Sequence, residues 1–508
     1  MKGLSFRLIL LFSFGFPLLL ALSSVLTGSI PFWFDPGRDL MLASDNLHKL
    51  SLIGPPSGIP GFFYGPYWIW LLSLGMLFSR DPKIIAIIVL TIPYFVIFPF
   101  ALYKLSQLLD KTTAILLWLL FILNCIQYAT QLWNPHLSPL LSLVFFYLLV
   151  STNYTKAQKS DYVKILGAGI TVGLLLNFHM SFAIGVTLGS LVFLLTQYFF
   201  ILKKKIIDKR IVLNCLFGIF LFCTGVAAVQ LPFFIFEMRH GFQQIHTAIT
   251  TLTSSGAVVG LIGLSKQQIV TNFFAAGGKV LGIPKVLNIL AIILIATLFG
   301  QILKQRKASL QAKDKTFLTL LGCISMGVLT VYLTSKNPVW DYHFISIEIL
   351  FLLLIGFISS KLPYFQKALS VWVIVLVLFN FNGFVKSVGS NPYNIPSLIT
   401  KEHIIDIIVQ DPRGSQGSNY TVFIYSPFIY TYDFSYIFSW RANKGVPYDP
   451  GRIPMNTRLV YLIIPESSKK VREDFINYRT PNKSYKTTKS WKIDDGTLVL
   501  KREKTSSK

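Results

Sequence analysis

The first polar stretch of the chain reads Trp33-Phe34-Asp35-Pro36-Gly37-Arg38-Asp39-Leu40, and it holds the residues best suited to chemistry. Asp35 and Asp39 stand four residues apart, with Arg38 between them. A carboxylate in such a setting can take a proton from an incoming hydroxyl. A guanidinium beside it can hold that carboxylate, or an anionic substrate, through paired N–H donors. Pro36-Gly37 predicts a turn, and a helix starting after it would set Asp39 near an electropositive helix end. The plainer reading of the same residues is a solvated loop with a helix cap.

A second segment, Gly54-Pro55-Pro56-Ser57-Gly58-Ile59-Pro60-Gly61-Phe62-Phe63-Tyr64-Gly65-Pro66-Tyr67-Trp68, fixes a compact path that ends in aromatics. Tyr64, Tyr67 and Trp68 can stack on a sugar face or anchor a span at headgroup level. Three further polar islands flank apolar runs: Gln131-Leu132-Trp133-Asn134-Pro135-His136, Glu237-Met238-Arg239-His240-Gly241 and Trp340-Asp341-Tyr342-His343. Arg239, with His136, His240 and His343, can bind a lipid-linked phosphate, because cationic donors match phosphate oxygens. The plainer reading pairs Glu237 with Arg239 or His240 and treats the histidines as structural. His136, His240 and His343 are remote in sequence and lack ligand spacing, so no metal site is assigned and a divalent cation has no clear ligand motif. Cys125, Cys215, Cys223 and Cys323 all lie in apolar runs and read as small hydrophobes.

The elements that must position these residues are set by composition. Hydrophobic residues make up 53% of the 508, charged ones 14%, and Phe alone supplies 43, which leaves too little charge for a soluble surface. Long uncharged runs recur, and about 20 apolar residues are what the hydrocarbon core demands. Candidate spans fall at 8–28, 62–79, 84–103, 113–131, 138–150, 164–180, 181–201, 212–236, 286–303, 316–334, 343–359 and 368–385. The first resembles a secretory signal but reads as an uncleaved span, since the chain stays apolar after it. The net charge of +25 reflects short cationic loops, such as Lys203-Lys204-Lys205 and Lys304-Gln305-Arg306-Lys307, rather than nucleic-acid binding. Such loops belong on the cytoplasmic side. That rule puts 237–285, 335–343 and the tail outside. It leaves one crossing too many early on, unless 62–79 lies partly in the interface or Lys104 and Lys111 are outside. After Lys386 the character changes: 404–409, 420–425, 458–464 and 497–500 read as short strands between Pro/Gly turns at 411–414 and 445–452, ahead of a frayed Lys-rich end.

Taken together these pieces resemble the GT-C superfamily of membrane glycosyltransferases, in the bacterial branch of the lipid A aminoarabinose transferase and the protein O-mannosyltransferases. That family carries an Asp-Glu-x-Arg-Tyr type motif where its first external loop begins a helix, then a Pro-rich segment leading into the next span. Asp35-Pro36-Gly37-Arg38-Asp39 occupies the motif, with Asp35 on the essential Asp and Arg38 on the Arg, while 55–68 resembles the Pro-rich segment. Pro36 replaces the Glu and Asp39 the Tyr, so both Asp35 and Asp39 stand as candidate bases. The second loop's acidic residue is missing near 133–139, where Asn134 and His136 stand, as is the one before the Pro pair. The resemblance covers residues 1 to about 385. It implies an all-α polytopic domain of about 11–13 transmembrane or juxtamembrane helices in a bacterial inner membrane, to which the strand and turn signals of the tail add a small external α/β or mostly-β domain over 386–508. It further implies inverting transfer, without a cofactor, from a polyprenyl-phosphate sugar to an envelope lipid, glycan or protein. A transporter or flippase of envelope lipid precursors is the alternative. Such a protein would more often show inverted repeats and ionisable groups at mid-span.

Overall fold

The computed structural model describes residues 2–59, 61–154, 157–204, 209–253, 263–306, 310–335, 338–388, 396–411, 420–426, 431–441 and 457–505. Among these, seven helices are long and apolar enough to cross a membrane: Pro82–Leu109, Lys159–Phe178, Met180–Gln197, Leu216–Arg239, Ala312–Thr334, Asp341–Lys361 and Pro363–Lys386. Shorter apolar helices are Phe12–Leu26, Tyr67–Met76, Lys111–Asn124, Asn134–Val150 and Asn288–Lys304. The architecture is thus an all-α membrane domain followed by a small α/β domain.

The expected span at 62–79 contracts to Tyr67–Met76. Ten helical residues rise about 15 Å, half of the ~30 Å hydrocarbon core. This helix is a juxtamembrane element. Its Pro/Gly-rich approach occupies residues that a longer helix would need, with Gly54 N bonded to Tyr64 O (2.7 Å) and Tyr64 N to Pro55 O (3.0 Å). Gly65 sits so close to the Asn177 side chain that a Cβ would lie 1.6 Å from its Oδ1. No side chain fits there.

Close helix crossings use small residues. Gly185 and Gly189, one turn apart, meet the helix Ala312–Thr334, where a Cβ on Gly189 would stand 2.5 Å from Cys323 O. Gly169 and Gly173 meet the helix Lys209–Arg239 in the same way, with a Gly169 Cβ 2.2 Å from Phe222 O. Lipid tails are as apolar as the helices, so association rests on such backbone approach. Cys125 is buried, Cys223 exposed and Cys323 between, all as free thiols.

The tail carries a four-stranded sheet in the order β1-β2-β4-β3, from β1 (Tyr420–Ile424), β2 (Leu459–Ile464), β3 (Tyr485–Lys492) and β4 (Leu498–Lys504). β1 and β2 are parallel, and the β2–β4 and β4–β3 pairs are antiparallel. Two expectations are corrected. Residues 404–409 are not a strand but part of the helix Leu398–Val409, capped by Ser397 and burying Ile404, Ile405 and Ile408 at helical spacing. The Lys-rich end does not fray over 498–504. Lys501 pairs with Asp411 (2.5 Å), and Arg502 donates to Thr480 O (2.8 Å) and Asn482 Oδ1 (2.7 Å). The turn at 445–452, most of that at 411–414, and much of the 203–210 and 304–307 clusters lie outside the described residues or side chains.

The tail docks on the first polar segment. Leu398 N donates to Ile30 O (2.9 Å), Tyr436 Oη to Arg80 O (2.7 Å) and Lys83 Nζ to Glu402 Oε1 (2.9 Å). A Cβ on Gly37 would lie 2.4 Å from Asp433 N, so glycine is what lets the helix Tyr432–Arg441 seat directly on Phe34–Asn46.

Candidate active site

The first-loop helix begins at Phe34, earlier than the expected turn at Pro36-Gly37. Pro36 falls in its first turn, where no intrahelical N–H is lost. Asp35 is therefore the acidic residue of the first turn, and Asp39 lies one turn on, facing inward. Arg38 bridges the two. Its Nη1 contacts Asp35 Oδ1 (2.7 Å), while Nη2 (2.7 Å) and Nε (2.9 Å) hold Asp39 Oδ1.

The two carboxylates differ in environment. Asp39 is 1% exposed, and its second oxygen accepts from Trp68 Nε1 (2.9 Å). Burial pushes its pKa up to about 6; Arg38 opposes the rise and Asp35 adds to it. Asp35 keeps 20% side-chain exposure, and its Oδ2 accepts from Trp33 Nε1 (3.3 Å). Asp39 has no edge left for a substrate. Asp35 does. Burial likewise lifts Tyr64 to about 12, with Asp35 adding to the rise and Arg38 opposing it. That phenol stays protonated as a donor.

A cavity of about 660 Å³ opens next to this group, lined by Tyr64, Phe62, Tyr342, His343 and Trp340 and by apolar residues such as Ile184 and Val331. Rings link it to the acidic pair: Trp33 meets Trp133 edge-on (5.6 Å), and Trp133 meets Tyr342 (5.5 Å). The first loop, the 131–136 turn, the helix break at His179 and the 340–343 turn thus meet at one end of the bundle, where Asn134 Nδ2 also donates to Phe178 O (3.2 Å). Lys104 and Lys111 lie at the far end of the 28-residue helix Pro82–Leu109, about 40 Å away at 1.5 Å per residue.

The structure brings together Asp35, Arg38, Asp39, Tyr64, Trp68 and His343, and it separates others. Trp68 is fully buried and holds Asp39, so it offers no face to a sugar. Tyr67 packs against Trp70 with the rings tilted (centroids 5.1 Å apart). His136 is buried behind Trp133, its Nδ1 2.8 Å from Gln131 O. Arg239 and His240 are exposed at the end of the helix Lys209–Arg239 and do not line the cavity; His240 stacks on Phe236 at 3.9 Å. Glu237 pairs with neither. It is buried and caps the next helix, accepting from Gln244 N (3.1 Å) and Ile245 N (3.0 Å). Among the described residues, no three of His, Cys, Asp and Glu converge as metal ligands.

Sequence reading missed one cluster. Glu348, 3% exposed, is held by Lys279 Nζ (2.6 Å), Tyr128 Oη (2.7 Å) and Cys125 Sγ (3.4 Å). The signal was there: Glu348 is the only acidic residue in the run 343–359, and an ionisable group in a span carries a cost that calls for a partner. Tyr128 packs against His136 (5.0 Å), so the cluster underlies the aromatic wall of the cavity.

No protein-family model and no curated protein matches the sequence. Among solved structures, the chain is similar to ArnT from Cupriavidus metallidurans in the apo state, at 8% identity and TM-score 0.61 over 98% of each chain. It is similar also to that organism's ArnT bound to undecaprenyl phosphate, at 10% identity and TM-score 0.53 over 95% of this chain and 96% of the other. The fold is thus shared with ArnT over almost the whole of both chains. The likeness does not stop near 385 but runs on through the tail.

Proposed function

We propose that the protein transfers a sugar from a polyprenyl-phosphate donor to a cell-envelope acceptor at the external face of a bacterial inner membrane, with inversion at the anomeric carbon. The observation that carries this reading is the Arg38 clamp, which fixes a partly exposed carboxylate beside a buried one within a GT-C fold. Asp35 is the general base. Asp39 positions Arg38, and Arg38 positions Asp35. The acceptor hydroxyl loses its proton to Asp35 as its oxygen attacks C1, and the C1–O bond to phosphate breaks on the opposite face. The enzyme's contribution is alignment and stabilisation of the departing phosphate. Arg239, which does not line the cavity, stands at the end of a helix whose apolar stretch is only 17% buried, and there it binds the donor lipid's phosphate from the membrane side. ArnT bound to undecaprenyl phosphate shares the fold, which supports a lipid-phosphate donor.

The short helix supports one orientation, with the other four short apolar helices taken as crossings. With Tyr67–Met76 not crossing, the seven long helices and the other four short ones make eleven crossings, and the parity conflict disappears. Lys104 and Lys111 then sit with the cationic loops on the cytoplasmic side, and Asp35 and the tail sit outside. The test is Asp35→Asn, which keeps size but cannot take a proton. Transfer of radiolabelled sugar from the polyprenyl-phosphate donor should fall by roughly 10²–10⁴ at unchanged folding and donor binding. Full activity in the variant excludes Asp35 as the base.

A further inference from the structure

A second cavity, of about 510 Å³, lies where the tail meets the first loop. One wall is Trp33 and Phe34. The opposite wall is the carboxyl end of the parallel strands: Ile424 ends β1, Tyr425 and Ser426 follow it, and Pro465 and Glu466 follow β2. Loops leaving the carboxyl ends of parallel strands diverge and open a crevice, which is where α/β sheets bind ligands. Lys401, Asp433, Phe434, Asp495 and Thr497 complete the lining, and the volume suits a small-molecule site. Trp33 belongs to this cavity, and its indole N–H also holds Asp35. Through Trp133 and Tyr342 the same ring connects to the larger cavity. Asp35 lines neither cavity; it is bonded to Trp33, which lines the smaller one and leads through Trp133 to Tyr342 in the larger.

We infer that the second cavity is the acceptor site and that its occupant is an unphosphorylated glycan, neutral or amine-bearing. This rests on the transferase reading of Asp35. The chemistry of the lining selects the class. Trp33, Phe34 and Tyr425 supply aromatic surface for the C–H side of a sugar, while the Phe434 ring already lies under Lys401 Nζ (4.9 Å). Glu466 and Asp495 supply carboxylate acceptors for sugar hydroxyls or an ammonium. Among the described lining residues the one cation, Lys401, is already paired with Asp433, so these residues carry net negative charge, with Arg472 and Lys492 on the outer side of Glu466 and Asp495. A phosphate group brought there meets like charge in a partly dry site, and like charge disfavours binding.

The experiment uses the full-length protein in lipid nanodiscs and reads binding by saturation-transfer NMR, independently of turnover. The probes are chitobiose, glucosamine and mannose 6-phosphate. Chitobiose and glucosamine should show transfer at least about fivefold stronger than mannose 6-phosphate. Ser426→Trp should abolish it by filling the cavity, and Glu466→Lys should bring the phosphorylated probe level with the neutral ones by removing the charge bias. Equal signals for all three probes in the wild type, or signals untouched by Ser426→Trp, overturn the inference. On the same samples, hydrolysis of polyprenyl-phosphate sugar without acceptor reports the transferase reading. Donor hydrolysis without glycan selectivity sinks the acceptor site alone. Glycan selectivity without donor turnover leaves a glycan site but overturns its assignment as an acceptor site.

Discussion

Asp39 is where the clamp can be switched off by pH. Its carboxylate receives three hydrogen bonds, two from Arg38 and one from Trp68, and it must be ionised to keep Arg38 in place. Burial raises its pKa from 3.8 to about 6. At pH 5 only about a tenth of the molecules then carry the charge. Transfer should fall roughly tenfold per pH unit below 6, as Arg38 loses its anchor and Asp35 its geometry. Asp39→Asn mimics the protonated form, so its rate should be low and nearly flat from pH 5 to 8. Stability runs the other way. Between 3.8 and about 6 the unfolded chain loses its proton before the folded one does, so stability falls as pH rises through that window. The shift is worth on the order of 3 kcal/mol, and Asp39→Asn removes it. Initial transfer rates and thermal unfolding midpoints, measured at half-unit steps for both proteins in nanodiscs, read both effects. An acid limb near pH 6 that survives in Asp39→Asn, or a wild-type rate flat from 5 to 7, would refute the reasoning.

Arg239→Leu should weaken binding of a fluorescent polyprenyl-phosphate sugar by roughly 10- to 100-fold, since a charge-assisted hydrogen bond contributes about 1.5–3 kcal/mol; equal affinities would remove Arg239 from the donor site. Lys279→Met strands the buried Glu348 and should cost about 3–5 kcal/mol, whereas Lys279→Met with Glu348→Gln should recover most of that. Thermal unfolding of both variants in detergent checks this, and a single variant as stable as wild type would show that the pair contributes nothing.

What the sequence disclosed depended on how local the cause was. Membrane class and most helices follow from apolar runs that need no tertiary information. The pairing of Asp35 with Arg38 was legible too, because a guanidinium so near in sequence can hold the carboxylate through its N–H donors. The helix start was not. Pro36-Gly37 looks like a turn, but Pro is tolerated in a first helical turn, and Gly37 answers to Asp433, almost 400 residues away. The strand expected at 404–409 failed for a related reason: its isoleucines carry β propensity, yet their spacing of one and four buries one helical face. Trp68 shows the limit most plainly. Its position suited an aromatic at the membrane boundary, and only the fold shows it turned inward onto Asp39.

These long-range contacts also say how a fold can persist where sequence likeness to ArnT is only 8%. The carboxylates are not held by their neighbours in sequence alone. Trp68 from the juxtamembrane helix fixes one, Trp33 steadies the other, and the tail helix seated on Gly37 closes the far side. Each support comes from a different element, so each can be met by other residue types as long as the elements keep their places. The elements keep their places through backbone approach at small residues and through buried pairs such as Lys83–Glu402, which ties the start of the helix Pro82–Leu109 to the tail. A helix at 62–79 long enough to cross would break this arrangement. It would carry the next segment to the opposite face, and Lys83 could not then reach Glu402. The shortness of Tyr67–Met76 thus goes with a first-loop helix and a tail that meet at one end of the bundle.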